Sequence, residues 1–309
     1  MELGPHLVLA LLESAVSTAV LALTAIGLAL VFGIMRVVNV AHGEFFMLGA
    51  VFAWWIADTL TGWSPAIGFV LALLFSPVIV GAVAYASDRI VISRVQYDPE
   101  RTIVATVGLL YIFQQLSLMT FGPDARPVEP PFNTRLAIPW FEHTEAGWSV
   151  YWPWGLSITS YKLAVIATAI VLLIGVWLVL TRTKLGLIMR ATQQDKDIAQ
   201  AFGIRIERVY ALVFAGGGAL AALGAVLIVP IQQAHYLMGG DPLLLSFIVV
   251  ILGGLGSLSG TLLAAAIIGL SNGMIAVFFS PTLAKILATL LVAVVLIWRP
   301  HGLFVRANR

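Results

Sequence analysis

The 309-residue chain contains no cysteine. Disulfides, thiol chemistry and thiolate-ligated metals are therefore excluded. Charge is nearly as scarce. Asp, Glu, Lys and Arg make up 10% of the residues, against about 25% in soluble domains. No Lys or Arg precedes Arg36, so the chain lacks the basic n-region of a cleavable signal peptide, and its first apolar segment reads as a retained helix. The net charge of +2 is no nucleic-acid footprint. There is no G-x-x-x-x-G-K-[ST] phosphate loop, no H-E-x-x-H and no G-x-S-x-G elbow. The five histidines, His6, His42, His143, His235 and His301, are scattered without a carboxylate pattern. No catalytic constellation or metal site is expected, and the chain is not read as an enzyme.

What remains is hydrophobic: 60% of the chain, gathered in runs close to the ~20 residues that cross a bilayer. These runs do not alternate as a transmembrane β-barrel would. The composition predicts an all-α, polytopic integral membrane protein with one permease-sized domain over 1–309. Apolar segments fall at 7–33, 43–61, 66–87, 102–121, 161–181, 209–231, 244–256, 260–279 and 283–298. The run at 244–256 is short for a full crossing, so the expected count is eight or nine. Small residues at helical spacing (Ala25, Ala29, Gly33; Gly217, Ala221, Ala225; Thr261, Ala265, Gly269, Gly273) predict close helix packing.

Six of the seventeen Lys and Arg lie in 182–208, between two apolar segments. With that loop in the cytoplasm, thirteen basic residues fall inside and four outside (Arg126, Arg135, Lys162, Lys285). The C-terminus is then also inside, and the N-terminus outside. The stretch 122–160, rich in Pro and Trp, becomes an external loop, either an interfacial cap or a docking surface. Between Gly186 and Gly203 the island reads as one helix, with Ile188, Ala191, Ile198 and Phe202 close to one face and Arg190, Asp195, Lys196 and Asp197 supplying charge. It suits a basic helix resting on lipid, or a helix docking onto a cytoplasmic protein. Its mixture of Asp with Arg favours docking.

Two polar breaks interrupt the apolar runs. At 36–46, Asn39, His42 and Glu44 surround Gly43. Such groups at membrane depth face a cavity or a partner, and a helix restarting there could offer its N-terminus to an anion. The plain alternative is a hydrated turn. At 252–261, Leu-Gly-Gly-Leu-Gly-Ser-Leu-Ser-Gly-Thr reads as a broken or re-entrant helix, with Ser257 or Ser259 capping the next one.

Three stretches together resemble the branched-chain amino-acid ABC permeases of the LivH type. They are Gly27 to Ala50, with its Arg36-Val-Val-Asn-Val-Ala-His-Gly-Glu core; Arg190-Ala, Gln194-Asp and Ala201-Phe-Gly-Ile; and Val249 to Gly260 with the end Arg299-Pro-His-Gly-Leu-Phe. The resemblance runs in order through essentially the whole chain. It implies a subunit of a bacterial inner-membrane importer working by alternating access, paired with a second homologous permease, driven by two cytoplasmic ABC ATPases and fed by a periplasmic binding protein. ATP would be used by the ATPases, with no cofactor on this chain. Ile188, Arg190, Asp195, Ile198 and Phe202 would couple to an ATPase. Asn39, His42 and Glu44, with Ser257 and Ser259, are translocation-pathway candidates. The family also moves urea, amides and small acids. The contrasting expectations are a proton-coupled secondary transporter using Glu44, and a structural scaffold, which would need no broken helix.

Overall fold

A computed structural model describes residues 3–59, 64–144, 147–152 and 157–298. The tail motif from Arg299 to Phe304, His301, Pro153 and Trp154 lie outside the described residues, as does the C-terminus. Among the described residues eleven α-helices run in order: α1 (Leu3–Met35), α2 (His42–Thr59), α3 (Pro65–Ile90), α4 (Pro99–Phe121), α5 (Ser160–Arg182), α6 (Lys184–Gln194), α7 (Lys196–Ala201), α8 (Ile206–Gln232), α9 (Gly240–Gly253), α10 (Leu258–Phe278) and α11 (Pro281–Trp298).

Among the described residues six helices are long and apolar enough to cross a membrane: α1, α3, α4, α5, α8 and α10. The further segments of the expected eight or nine correspond to α2, to α9, which has 14 residues, and to α11. At 1.5 Å per residue α9 extends only about 21 Å, less than the ~30 Å hydrocarbon core.

Burial orders the bundle. The most apolar window of α1 is 78% buried and that of α8 72%, against 11% for α5. The first two helices are central, and α5 keeps its apolar surface for lipid or a neighbouring chain. One side of α1 packs into the main core with α2, α3 and α8, around Phe45, Phe46 and Phe214. Its other side, Ala22, Ala25 and Ala29, closes on Ile248 and Val249 of α9 and Ala265 and Ile268 of α10. Small side chains permit this proximity: a Cβ added to Gly27 would come within 2.6 Å of the Gly217 carbonyl oxygen. The helical small-residue stripes are therefore packing faces, as their spacing predicts.

The all-α expectation needs one correction. The stretch 122–160 holds two antiparallel ribbons, β1 (Arg135–Ala137) with β4 (Ser157–Thr159), and β2 (Trp140–Thr144) with β3 (Gly147–Tyr151). Its aromatic and β-branched residues favour pleated pairing, and Trp140 packs its indole on Gly4 of α1. Arg126 and Ala234 exchange backbone hydrogen bonds of 2.7 and 2.8 Å, tying this stretch to the chain after α8. The ribbons thus mark one end of the bundle. The opposite, basic end carries the loop after α3, α6, α7 and the start of α8, where Arg89 pairs with Glu207 at 3.5 Å.

Candidate functional site

The polar break after α1 is built by a reversal of the chain. Arg36 is exposed and left-handed, with φ 57°. The chain then turns back beside α1, and the Val40 N–H donates to Thr106 Oγ1 of α4 at 3.2 Å. His42 then reaches the Thr24 carbonyl through Nε2, at 2.9 Å. A carbonyl only accepts, so Nε2 carries the proton. Thr24 lies about three turns before the end of α1. Helix α2 therefore begins inside the bundle, level with the middle of α1.

Glu44 accepts from Gln114 Nε2 of α4 at 2.9 Å. Asn39, His42 and Glu44 are each at most 1% exposed, so they do not form a hydrated turn. Asn39 (both side-chain polar atoms), His42 Nδ1 and Glu44 Oε2 have no hydrogen-bond partner among the described residues. Unpaired buried polar atoms are costly, which makes this break an unusual place. It is nevertheless closed to an anion. Gly43 packs on Gly239, Glu44 occupies the first turn, and the Ala41 carbonyl accepts from the N–H groups of Glu44 and Phe45 at 3.0 and 3.3 Å.

The second break separates α9 from α10. Gly254 and Gly256 are left-handed, with φ 93° and 83°. Ser257 caps α10 by accepting from the Gly260 N–H at 3.1 Å, while Ser259 sits exposed in its first turn. Gly256 packs on Gly33, near the end of α1, so the serines lie well away from His42, about 9 Å along α1 from Gly27 to Gly33. The translocation candidates thus form two groups, not one.

Gln193 of α6 joins the second break to the charged island. Its Nε2 donates to the Gly256 carbonyl at 3.1 Å. The island itself is two helices rather than the single one expected. Asp195 ends α6 and caps α7, its Oδ1 accepting from the N–H groups of Asp197 and Ile198 at 2.9 and 3.0 Å. Short polar side chains favour this capping role over helix interiors. Gly203, left-handed at φ 83°, closes α7. Ile188, Arg190 and Ile198 are exposed, and Phe202 is 83% exposed. Beside α7 a cleft of about 890 Å³ is lined by Arg89, Tyr97, Lys196, Asp197, Glu207 and Arg208. Burial and the neighbouring Asp88 carboxylate push the Tyr97 hydroxyl above its ordinary pKa, so it stays protonated and donates to Asp88 at 3.3 Å.

Sequence reasoning missed Thr24, Thr106, Gln114 and Gln193, which hold these breaks in place. Thr102, Thr106 and Ser117 recur on the buried face of α4, a polar stripe that could have flagged that helix. It also missed a cavity of about 510 Å³ at the ribbon end, reaching from Glu13 and Lys162 to Thr24, Phe46 and Gly240. Glu13 pairs with Lys162 there, and Asp241 with Lys285. Among the described residues no group of His, Cys, Asp and Glu could hold a metal.

The family model described as "Branched-chain amino acid transport system / permease component" matches residues 10–296. The chain is 27% identical over 299 residues to the high-affinity branched-chain amino acid transport system permease protein LivH of Escherichia coli K12, covering 92% of this chain and 91% of that protein. It is 28% identical over 300 residues to the corresponding permease protein BraD of Pseudomonas aeruginosa PAO1, with the same coverage. No solved structure matches it.

Proposed function

Because this chain belongs to the branched-chain amino acid transport permease family, we propose that it is the membrane-spanning subunit of an ATP-driven importer that moves branched-chain or related amino acids. The protein is a multi-pass membrane protein and a permease subunit. The finer reading places it as one domain in a bacterial inner membrane. The basic end and the C-terminus face the cytoplasm, and the ribbons and the N-terminus face the periplasm. In that reading α2, α9 and α11 enter the bilayer with the six longer helices. A second homologous permease, two cytoplasmic ATPases and a periplasmic binding protein complete the complex. ATP is used by the ATPases.

The observation that carries this reading is the joint at Gln193. An exposed, charged helix pair at the basic end is hydrogen-bonded to the glycine turn between α9 and α10, and that turn packs on the end of α1. A soluble partner pushing on α6 and α7 would move the central helix directly. Alternating access follows when that push re-packs α1, α9 and α10 around a fixed α8. Asn39, His42 and Glu44 would hold the half-helix α2 at the pathway, and Ser257 and Ser259 would line its basic end.

Proteoliposomes test this. The chain alone should neither hydrolyse ATP nor accumulate substrate, and uptake should require ATPases, binding protein and a second permease. One feature favours a second reading: the buried Glu44 carboxylate has an unpartnered oxygen, as a proton carrier would. Accumulation by this chain alone, driven by a proton gradient, would establish that secondary transporter and refute the ATP-driven one.

A further inference from the structure

Charges are expensive within membrane helices and mark pathways where they occur. Glu13 is the sole Asp, Glu, Lys or Arg of α1, Asp241 that of α9 and Lys285 that of α11. Lys162 stands in the first turn of α5. These four charges, on four helices, line one cavity of about 510 Å³ at the ribbon end. They form two inter-helix pairs, Glu13 with Lys162 and Asp241 with Lys285. Between them run apolar walls, Val16, Val20 and Leu21 of α1, Ile228 of α8 and Leu245 of α9. At the inner end sit Thr24, Phe46 and Gly240, and Gly240 is the first residue of α9.

We propose that this cavity receives the zwitterionic head of an α-amino acid, with Asp241 taking the ammonium and Lys285 the carboxylate. The inference rests on the amino-acid reading above and locates where this chain first takes the substrate. The size falls within the range of small-ligand sites, about 300–1,000 Å³. The chemistry matches on both sides. An α-amino acid carries one charge of each sign on adjacent groups, and Asp241 and Lys285 are one charge of each sign in contact. Their side chains are 62% and 55% exposed, and so open a pair is weak, so a substrate can insert and exchange one ion pair for two. Glu13 and Lys162, only 29% and 23% exposed, remain paired and hold α1 against α5. The aliphatic side chain of the substrate lies along Val20, Leu21, Ile228 and Leu245. Bound there, the substrate sits over Thr24, whose carbonyl anchors His42 and hence the start of α2.

A plain clamp between α9 and α11 would also pair these charges, and the two roles separate by experiment. The complete complex, with its ATPases, partner permease and binding protein, is reconstituted in proteoliposomes, and uptake of radiolabelled L-leucine is measured for Asp241→Asn, Lys285→Gln and the double variant. Assembly and the thermal midpoint of each complex are checked alongside. Each single variant should lower uptake at least tenfold, and the double variant should be no better than either. A clamp between two side chains this exposed contributes little, so it predicts near wild-type uptake in the single and double variants alike, and wild-type uptake by the double variant overturns the proposal. Wild-type uptake by the single variants overturns it as well. A wild-type complex that transports no amino acid would overturn both this site and the amino-acid reading, and it is recognised before any variant is made.

Discussion

The joint at Gly256 gives the sharpest quantitative test. Gly256 is left-handed at φ 83°, and an added Cβ would lie 3.2 Å from Gly33 Cα and 3.4 Å from Gln193 Nε2. The left-handed backbone costs about 1–2 kcal/mol for a residue with a side chain. The reduced freedom of the unfolded alanine offsets about 0.4–1 kcal/mol of it in folding, but not in a change between two folded states. The close approach asks the backbone of α1 to give by a few tenths of an ångström, since Gly33 has no side chain to move aside. Where the transport cycle parts Gly256 from α1 and relaxes this turn, the two place Gly256→Ala at about 1–2 kcal/mol against the packed arrangement, a factor of about 5–30 in its population relative to the parted one. Leucine taken up per ATP hydrolysed should fall by that factor in the reconstituted complex. Gly108→Ala is the control, because a Cβ there meets nothing within 4 Å; it should change uptake little. Gln193→Ala removes one hydrogen bond, worth about 0.5–1.5 kcal/mol, and should uncouple in the same direction. Both changes act on one contact, so the double variant should lose less than the sum. Full coupling in Gly256→Ala, or strict additivity with Gln193→Ala, would refute the joint as the transmission point.

Three further outcomes are expected. Phe202→Ala should weaken association of the ATPases more than Lys196→Ala, because an apolar anchor can contribute ~2 kcal/mol or more while rim charges contribute less; co-purification measures this, and undiminished association would leave the island resting on lipid. Glu44→Gln keeps the oxygen that accepts from Gln114, so the complex should assemble and melt normally while uptake falls, and normal uptake would reduce Glu44 to a packing role. A cysteine at the exposed Gln194 should react with impermeant thiol reagents only from the cytoplasm and one at Asn133 only from outside, so reversed labelling would invert the orientation.

The helices and both breaks were legible in the sequence because their causes are local. Long apolar runs must become helices where no water satisfies the backbone. Gly254 and Gly256 supply left-handed turns, and Ser257 caps α10. The division of the island at Asp195 was legible too, since an Asp ahead of helix-forming residues is a capping signal, but helical periodicity read across it masked the stop. In 122–160 the prolines drew attention from residues able to pair as ribbons.

Tertiary structure alone decided the rest. That His42 reaches Thr24, and Glu44 reaches Gln114, depends on the left-handed turn at Arg36 sending the chain back into the bundle. Gln193 meets Gly256 across 63 positions, and no local pattern encodes such a meeting. Glu13, Lys162, Asp241 and Lys285 are four isolated charges in the sequence. Only the packing of α1, α5, α9 and α11 brings them to one cavity. A single charge in an apolar helix signals that it must find a partner. Which partner, and around what space, is fixed by helices far apart in the chain and side by side in the fold.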